Sequence, residues 1–330
     1  MSSYAESNQA LQSLVHDEGA GCMLSAASGD VAGGLVVGGY SSVTQVSTVV
    51  AYHIMVNGAV DRASLTADLL VLDGAPPGTR TYRRPSDEFR LWLDAAHAGE
   101  PTAAPGPSSE PASRMTAVGV WFRRRPDELV TAAIEVSRLT HLDASSVAMG
   151  VAAAGAVAGA SLAMNGADLL FGAAETVERG LEHMGEDQFR FSGMAEAGRI
   201  PDWIREQAPL VTGLPTDAVR ALSGDNGPHG LNGAMLGIVL GSSLGASPVR
   251  LIELAAMSGG SELGALVGSI VGARVGLGRW PWRVPNETWF AEIGRRLAVG
   301  NGEVRDLPVP YAIEERFNMS PEMSGIIDLD

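Results

Sequence analysis

The stretch Val147-Ala-Met-Gly-Val-Ala-Ala-Ala-Gly-Ala-Val-Ala-Gly-Ala-Ser-Leu-Ala-Met164 carries no charge and one hydroxyl. Alanine favours the helix, and a helix without a polar face must be covered on every side. Leu263 to Leu277 repeats the pattern with one charge, Arg274. Both raise the question of a bilayer. The first only just reaches the roughly 17 residues that a spanning helix needs, and both are built of Gly and Ala rather than Leu and Phe. They are therefore expected to be buried core helices, packed closely through small side chains, with no membrane partner.

Working outward, hydrophobic periodicity and cap residues predict further helices joined by Gly/Pro loops. Leu11 to Ala32 is the first, followed by the glycine-rich loop Gly33 to Gly39. Thr44 to Asn57 is the second, and Asp61 to Leu72 the third, with Asp61 as a candidate N-cap. Pro76 to Arg84 breaks the pattern before a helix over Ser86 to His97. Pro126 to Thr140 follows, with Asp127 and Glu128 suited to the dipole of its first turn. Asp143 opens the small-residue helix, and Ala167 to Met184 continues beyond it. Leu231 to Leu244, Pro248 to Met257, Leu263 to Val275 and Glu287 to Val299 read as four more. Gly99 to Ser113 holds four prolines and reads as a loop, with a lid as the less favoured role. The tail 306–330 holds three prolines and reads as irregular. Few alternating runs demand strands and no fixed period recurs, so one all-α domain over 1–330 is expected.

Composition agrees. Aromatics are 5% and glycines number 41 among 330 residues, a balance that suits helix packing better than a β-sandwich. A net charge of −15 argues against nucleic-acid binding and serves solubility. The single cysteine, Cys22, rules out an intramolecular disulfide and fits a reduced, cytoplasmic setting. Met1 to Glu18 lacks the basic and apolar regions of a secretory signal. Arg123-Arg-Arg125 and Ser223 to His229 read as solvated turns. No phosphate-binding GxxxxGKS, zinc-type Cys/His cluster or GxSxG elbow is present.

Five segments then fall in an informative order. Gly21-Cys-Met-Leu-Ser-Ala-Ala-Ser-Gly-Asp30 is similar to the first helix of the ADP-ribosylglycohydrolase family, which ends in Gly-Asp. Tyr40-Ser-Ser-Val-Thr-Gln45 stands where that family has Asp-Asp-Thr. Ser113-Arg-Met-Thr-Ala-Val-Gly119 looks like its Arg-containing turn. Arg138-Leu-Thr-His-Leu-Asp143 resembles its Thr-His-x-Asp motif. Ser258-Gly-Gly-Ser-Glu-Leu-Gly264 stands where the family places Gly-Gly-Asp-x-Asp-Thr. Val284-Pro285 with Trp289 resembles its ending. The resemblance implies an all-α fold with a central cleft and, in active members, two metal ions, usually magnesium.

Hard divalent ions want several anionic oxygen ligands each. Here the Asp-Asp pair is replaced by Ser42 and Val43, with Thr44 retained. In the second motif the aspartate positions fall on Gly259 and Ser261, or on Ser261 and Leu263, depending on register. Both registers lose both acids, so no metal and no cofactor is expected. The resemblance places a ligand pocket at Ser42, Val43, Thr44, Thr140, His141, Asp143, Gly259, Gly260, Ser261 and Glu262.

Each polar candidate also has a plain reading. Asp30 can cap backbone amides, Asp143 can cap the next helix, His141 can bond a carbonyl, and Glu262 can be solvated or paired. The favoured expectation is a family member without metal-dependent hydrolysis, a pseudoenzyme that binds a ligand such as ADP-ribose or a nucleotide, or a protein partner. One alternative is a repurposed metal-independent enzyme acting on a ribosyl or nucleotide-like substrate, with Asp30, His141 or Glu262 as weak catalytic candidates. Another is a structural component of an assembly.

Overall fold

The computed structural model describes residues 2–34, 39–73, 82–100, 103–104, 106–186, 191–223, 230–278 and 280–318. Parts of the expected loops (35–38, 76–81, and 101, 102 and 105), the turn at 224–229 and the tail beyond 318 lie outside them.

The chain begins with α1 (Ser2–Gly33), and α2 (Ser42–Asn57) ends at Gly58, whose φ of 71° is the left-handed stop that glycine supplies. Asp61 opens α3 (Arg62–Asp73) by accepting from Ser64 N at 2.8 Å, and Ser86 opens α4 (Asp87–His97) by accepting from Phe89 N at 3.0 Å. Two short helices, α5 (Glu110–Ser113) and α6 (Thr116–Phe122), precede α7 (Pro126–Ser137). Asp143 then caps α8 (Ala144–Ala160) through Ser146 N at 2.9 Å, and α9 (Gly166–Gly185) follows. Four short helices come next: α10 (Met194–Ala197), α11 (Ile200–Glu206), α12 (Ala208–Thr212) and α13 (Pro215–Leu222). The chain closes with α14 (Leu231–Ser242), α15 (Pro248–Val275), α16 (Glu287–Val299) and α17 (Pro310–Asn318). No strand occurs among the described residues, which hold two isolated bridges, Ala104 with His141 and Asp143 with Ser192.

Three expectations need correction. The last four residues of the Pro-rich loop, Glu110 to Ser113, are helical, because Pro111 presets the first-turn φ and lacks only an N–H that would go unused there. The Arg-containing turn at Ser113 to Gly119 is a junction of two helices, with Arg114 at the C-cap of α5. Within the supposedly irregular tail, Pro310 starts a helix that runs to Asn318.

Every residue of α8 is buried, enclosed by α5, α6, α7, α9, α14 and α15. The α15 helix is long and apolar enough to cross a bilayer by length and composition, and is covered mainly by α1 and α14. It kinks at Gly259 (φ −141°, ψ 20°) and Gly260 (φ 66°, ψ −150°). Beyond the kink, Gly260, Gly264, Gly268, Gly272 and Gly276 recur every fourth residue, so they share one face. They meet a matching ladder on α1, where Gly33 faces Gly260, Gly29 faces Gly264, Ser25 faces Gly268 and Gly21 faces Gly272 and Gly276. The two helices are thus antiparallel, backbone against backbone. A Cβ on Gly29 or Gly264 would fall on the other's carbonyl oxygen. Gly19 meets Gly294 of α16 in the same way.

Gly264→Val should therefore force the helices apart and destabilise the fold by roughly 3 kcal/mol or more. Gly185→Ala, where a Cβ meets open space, should change stability by no more than ~1 kcal/mol. Urea unfolding of both variants checks the contrast.

Candidate functional site

The glycine ladder brings the end of α1 beside the kink of α15, and the chemistry of the site starts there. Asp30 is fully buried, and its Oδ2 accepts from Ser41 N at 2.8 Å, Ser41 Oγ at 3.0 Å and Thr44 N at 3.1 Å. The carboxylate thus occupies the positive N-terminus of α2. Arg84 Nη2 lies 4.0 Å from the other carboxylate oxygen, Oδ1, and donates to Gly39 O at 3.2 Å. Gly34 leaves room for this guanidinium, since a Cβ there would strike it. Ser261 Oγ donates to Asp30 O at 3.1 Å, tying the kink to the end of α1.

These elements enclose a cavity of about 210 Å³. Its walls are Ser41, Ser42, Val43 and Val46 of the α2 start, then Arg84, Ser86 and Phe89. Glu110, Ser113 and Arg114 of α5 and Gly259, Ser261 and Glu262 of the kink complete them. Glu262 Oε2 accepts from Ser109 Oγ at 2.9 Å. Burial pushes its carboxyl up, opposed by the Ser109 bond and by Arg114.

One wall continues inward as a buried polar chain. Ser86 Oγ donates to Glu110 Oε2 at 3.0 Å, and Glu110 Oε1 pairs with Arg114. Arg114 Nη1 donates to Thr140 Oγ1 at 2.9 Å, and Thr140 Oγ1 contacts His141 Nδ1 at 2.8 Å. The guanidinium also sits 5.0 Å from the centre of the Phe89 ring. Burial pulls Arg114 down to about 10, with Glu262 the strongest opposing charge, so it stays charged at neutral pH. Burial, then Arg114, pushes His141 down to about 3, so the imidazole is neutral.

Of the residues expected at a pocket, Ser42, Val43, Gly259, Ser261 and Glu262 line this cavity. Thr44 gives its amide to Asp30, and Gly260 packs on Gly33; neither belongs to the lining. Thr140 and His141 stand behind Arg114, and Asp143 is engaged in capping α8. Asp30 lies beneath α2 as a cap. The rest of the lining, Ser41, Val46, Arg84, Ser86, Phe89, Glu110, Ser113 and Arg114, lies outside the expected pocket residues. The i,i+4 spacing of Glu110 and Arg114 was the signal available for their ion pair.

Two measurements bear on this geometry. Asp30→Ala leaves the buried Ser41 and Thr44 amides without their acceptor, and should cost at least ~2 kcal/mol in chemical denaturation. For His141 the folded value, about 3, lies below the ordinary 6.5. The unfolded chain then binds the extra proton, so the stability this provides is present above 6.5 and is lost as pH falls toward 3. In chelator-treated buffer, His141→Gln should flatten the acid side of the stability profile relative to the parent chain.

The family model for ADP-ribosylglycohydrolase matches residues 11–306. No curated protein sequence matches the chain. A solved structure titled "ADP-ribosylglycohydrolase-related protein complex" superposes with a TM-score of 0.58 at 17% identity, covering 87% of this chain and 99% of that one. That likeness shows a shared fold.

Proposed function

The chain belongs to the ADP-ribosylglycohydrolase family, and we propose that it is a member without metal-dependent hydrolysis that acts by binding a small polar ligand in the cavity at the start of α2. The donor set of that cavity carries the reading. Where the family resemblance implies magnesium, α2 presents Ser42 and Val43 and the kink presents Gly259 and Ser261. One oxygen of Asp30 already serves three donors, and the guanidinium of Arg84 faces the other. Hard ions need several anionic oxygens each, so these residues do not fit a magnesium pair.

Serine hydroxyls, two guanidinium groups and the Phe89 ring suit a ligand with anionic oxygens and a flat ring, such as ADP-ribose or a nucleotide. Glu262 supports a second reading. It borders the cavity with its carboxyl pushed up by burial, a setting in which a carboxylic acid can exchange a proton with a bound substrate. On that reading the chain is a repurposed metal-independent enzyme.

In a thermal-shift screen, ADP-ribose or a nucleotide should raise the melting temperature, Arg84→Ala should abolish the rise, and magnesium alone should cause none. Magnesium-dependent release of ADP-ribose from a modified peptide would refute the binding role. Metal-free turnover that is lost in Glu262→Gln would favour the second reading.

A further inference from the structure

The polar chain ends in an unused donor atom. His141 has no exposed surface, its Nδ1 is held by Thr140, and its Nε2 has no hydrogen-bond partner. A buried ring nitrogen in that state carries a real desolvation cost unless something occupies it. A ring nitrogen of His141 and carboxylate oxygens of Glu88 and Glu110 all lie within 4.8 Å of one another. We propose that Glu88, Glu110 and His141 bind a single divalent transition-metal ion, zinc or a close neighbour, at the edge of the cavity and apart from the positions of the family's magnesium motifs. This does not rest on the ligand-binding reading above.

The three residues come from three separately anchored places. Glu88 is in the first turn of α4, Glu110 opens α5, and His141 lies between α7 and α8. Ser86 both caps α4 and donates to Glu110, which ties the first turn of α4 to α5. Arg114 fixes Thr140, and Thr140 fixes the imidazole through Nδ1. A metal-binding histidine is oriented in this way, by a partner on the nitrogen that does not ligate. With the ring proton on Nδ1 and given to Thr140 Oγ1, Nε2 presents its lone pair to an ion. Glu88 is exposed and supplies the entry path.

Arg114 is the obvious objection, because it adds positive charge beside Glu110. The local balance answers it. Among the described residues, Asp30, Glu88, Glu110 and Glu262 interact with this centre, against the guanidiniums of Arg84 and Arg114. Even with the Glu262 carboxyl neutral, the carboxylates outnumber the guanidiniums, so a cation is favoured there. Glu110 uses one oxygen for Arg114 and the other for Ser86, yet a carboxylate has about four lone-pair sites and can still ligate. One nitrogen and two carboxylates favour a borderline ion, whereas magnesium wants oxygen alone. Three protein ligands leave a further position for water.

The test uses the full chain, stripped with chelator and titrated with zinc by calorimetry and with cobalt by visible absorption. One zinc per chain, a rise in melting temperature, cobalt d–d bands and no response to magnesium are expected. Glu88→Gln changes an exposed side chain and should leave the fold intact. It should weaken zinc binding by at least ~10-fold, the loss that follows when even an outer partner of a metal ligand is removed. His141→Gln should lose both binding and the cobalt bands. Absence of zinc binding by the parent chain, magnesium binding as tight as zinc, or parent-like affinity in both variants overturns the site.

Discussion

The contact between α1 and the far half of α15 is the constraint on which the rest depends. Each interior glycine in a helix costs about 1 kcal/mol relative to alanine. Gly21, Gly29, Gly264, Gly268 and Gly272 together carry several such costs. They are tolerated because each removes a Cβ that would fall on a carbonyl of the opposite helix. The gain is an approach close enough for backbone to pack on backbone, with the dispersion contacts of two interlocked surfaces. The ladder also sets register. Gly33 against Gly260 puts the end of α1 at the kink of α15, so Asp30 and Ser261 meet and α2 starts from the same point.

The cavity inherits its character from that junction. Asp30 is buried, yet its charge is matched by amides, a hydroxyl and a guanidinium, so it serves the start of α2 as a cap. The second buried acid, Glu110, is matched by Arg114 one turn along α5. Buried ion pairs add little net stability because desolvation offsets their attraction, but removing either partner strands a charge. Their contribution here is positional. They hold Thr140 and His141 in one orientation behind a cavity that combines serine hydroxyls and two guanidiniums with Val43, Val46 and Phe89.

Much of the fold was legible beforehand. The caps Asp61, Ser86 and Asp143 mark helix starts that the sequence announces, since a short oxygen-bearing side chain beside an apolar run has one stable local use. The boundaries of α16 were read to the residue, Glu287 to Val299. Proline misled in two places. Pro111 and Pro310 lie in stretches whose composition reads as irregular, yet each stands at a helix start, the place where proline costs little. Among the residues expected at a pocket, those that line the cavity belong to the two family motifs, at the start of α2 and at the kink of α15. Glu110 was not legible there because a charged residue in a loop looks solvated until the fold buries it, whereas Arg84 stays exposed beside Asp30.

By itself the sequence determined the helical class, most helix limits and the family. These are local properties, set by periodicity, capping and residue identity. Tertiary structure alone decided which glycine faced which, that Asp30 closes α2, that Arg114 joins Glu110 to Thr140, and that Glu88, Glu110 and His141 converge. Those residues are separated along the chain by whole helices. What brings them together is the packing of those helices, whose crossing depends on the summed fit of many small contacts that no short stretch of sequence contains.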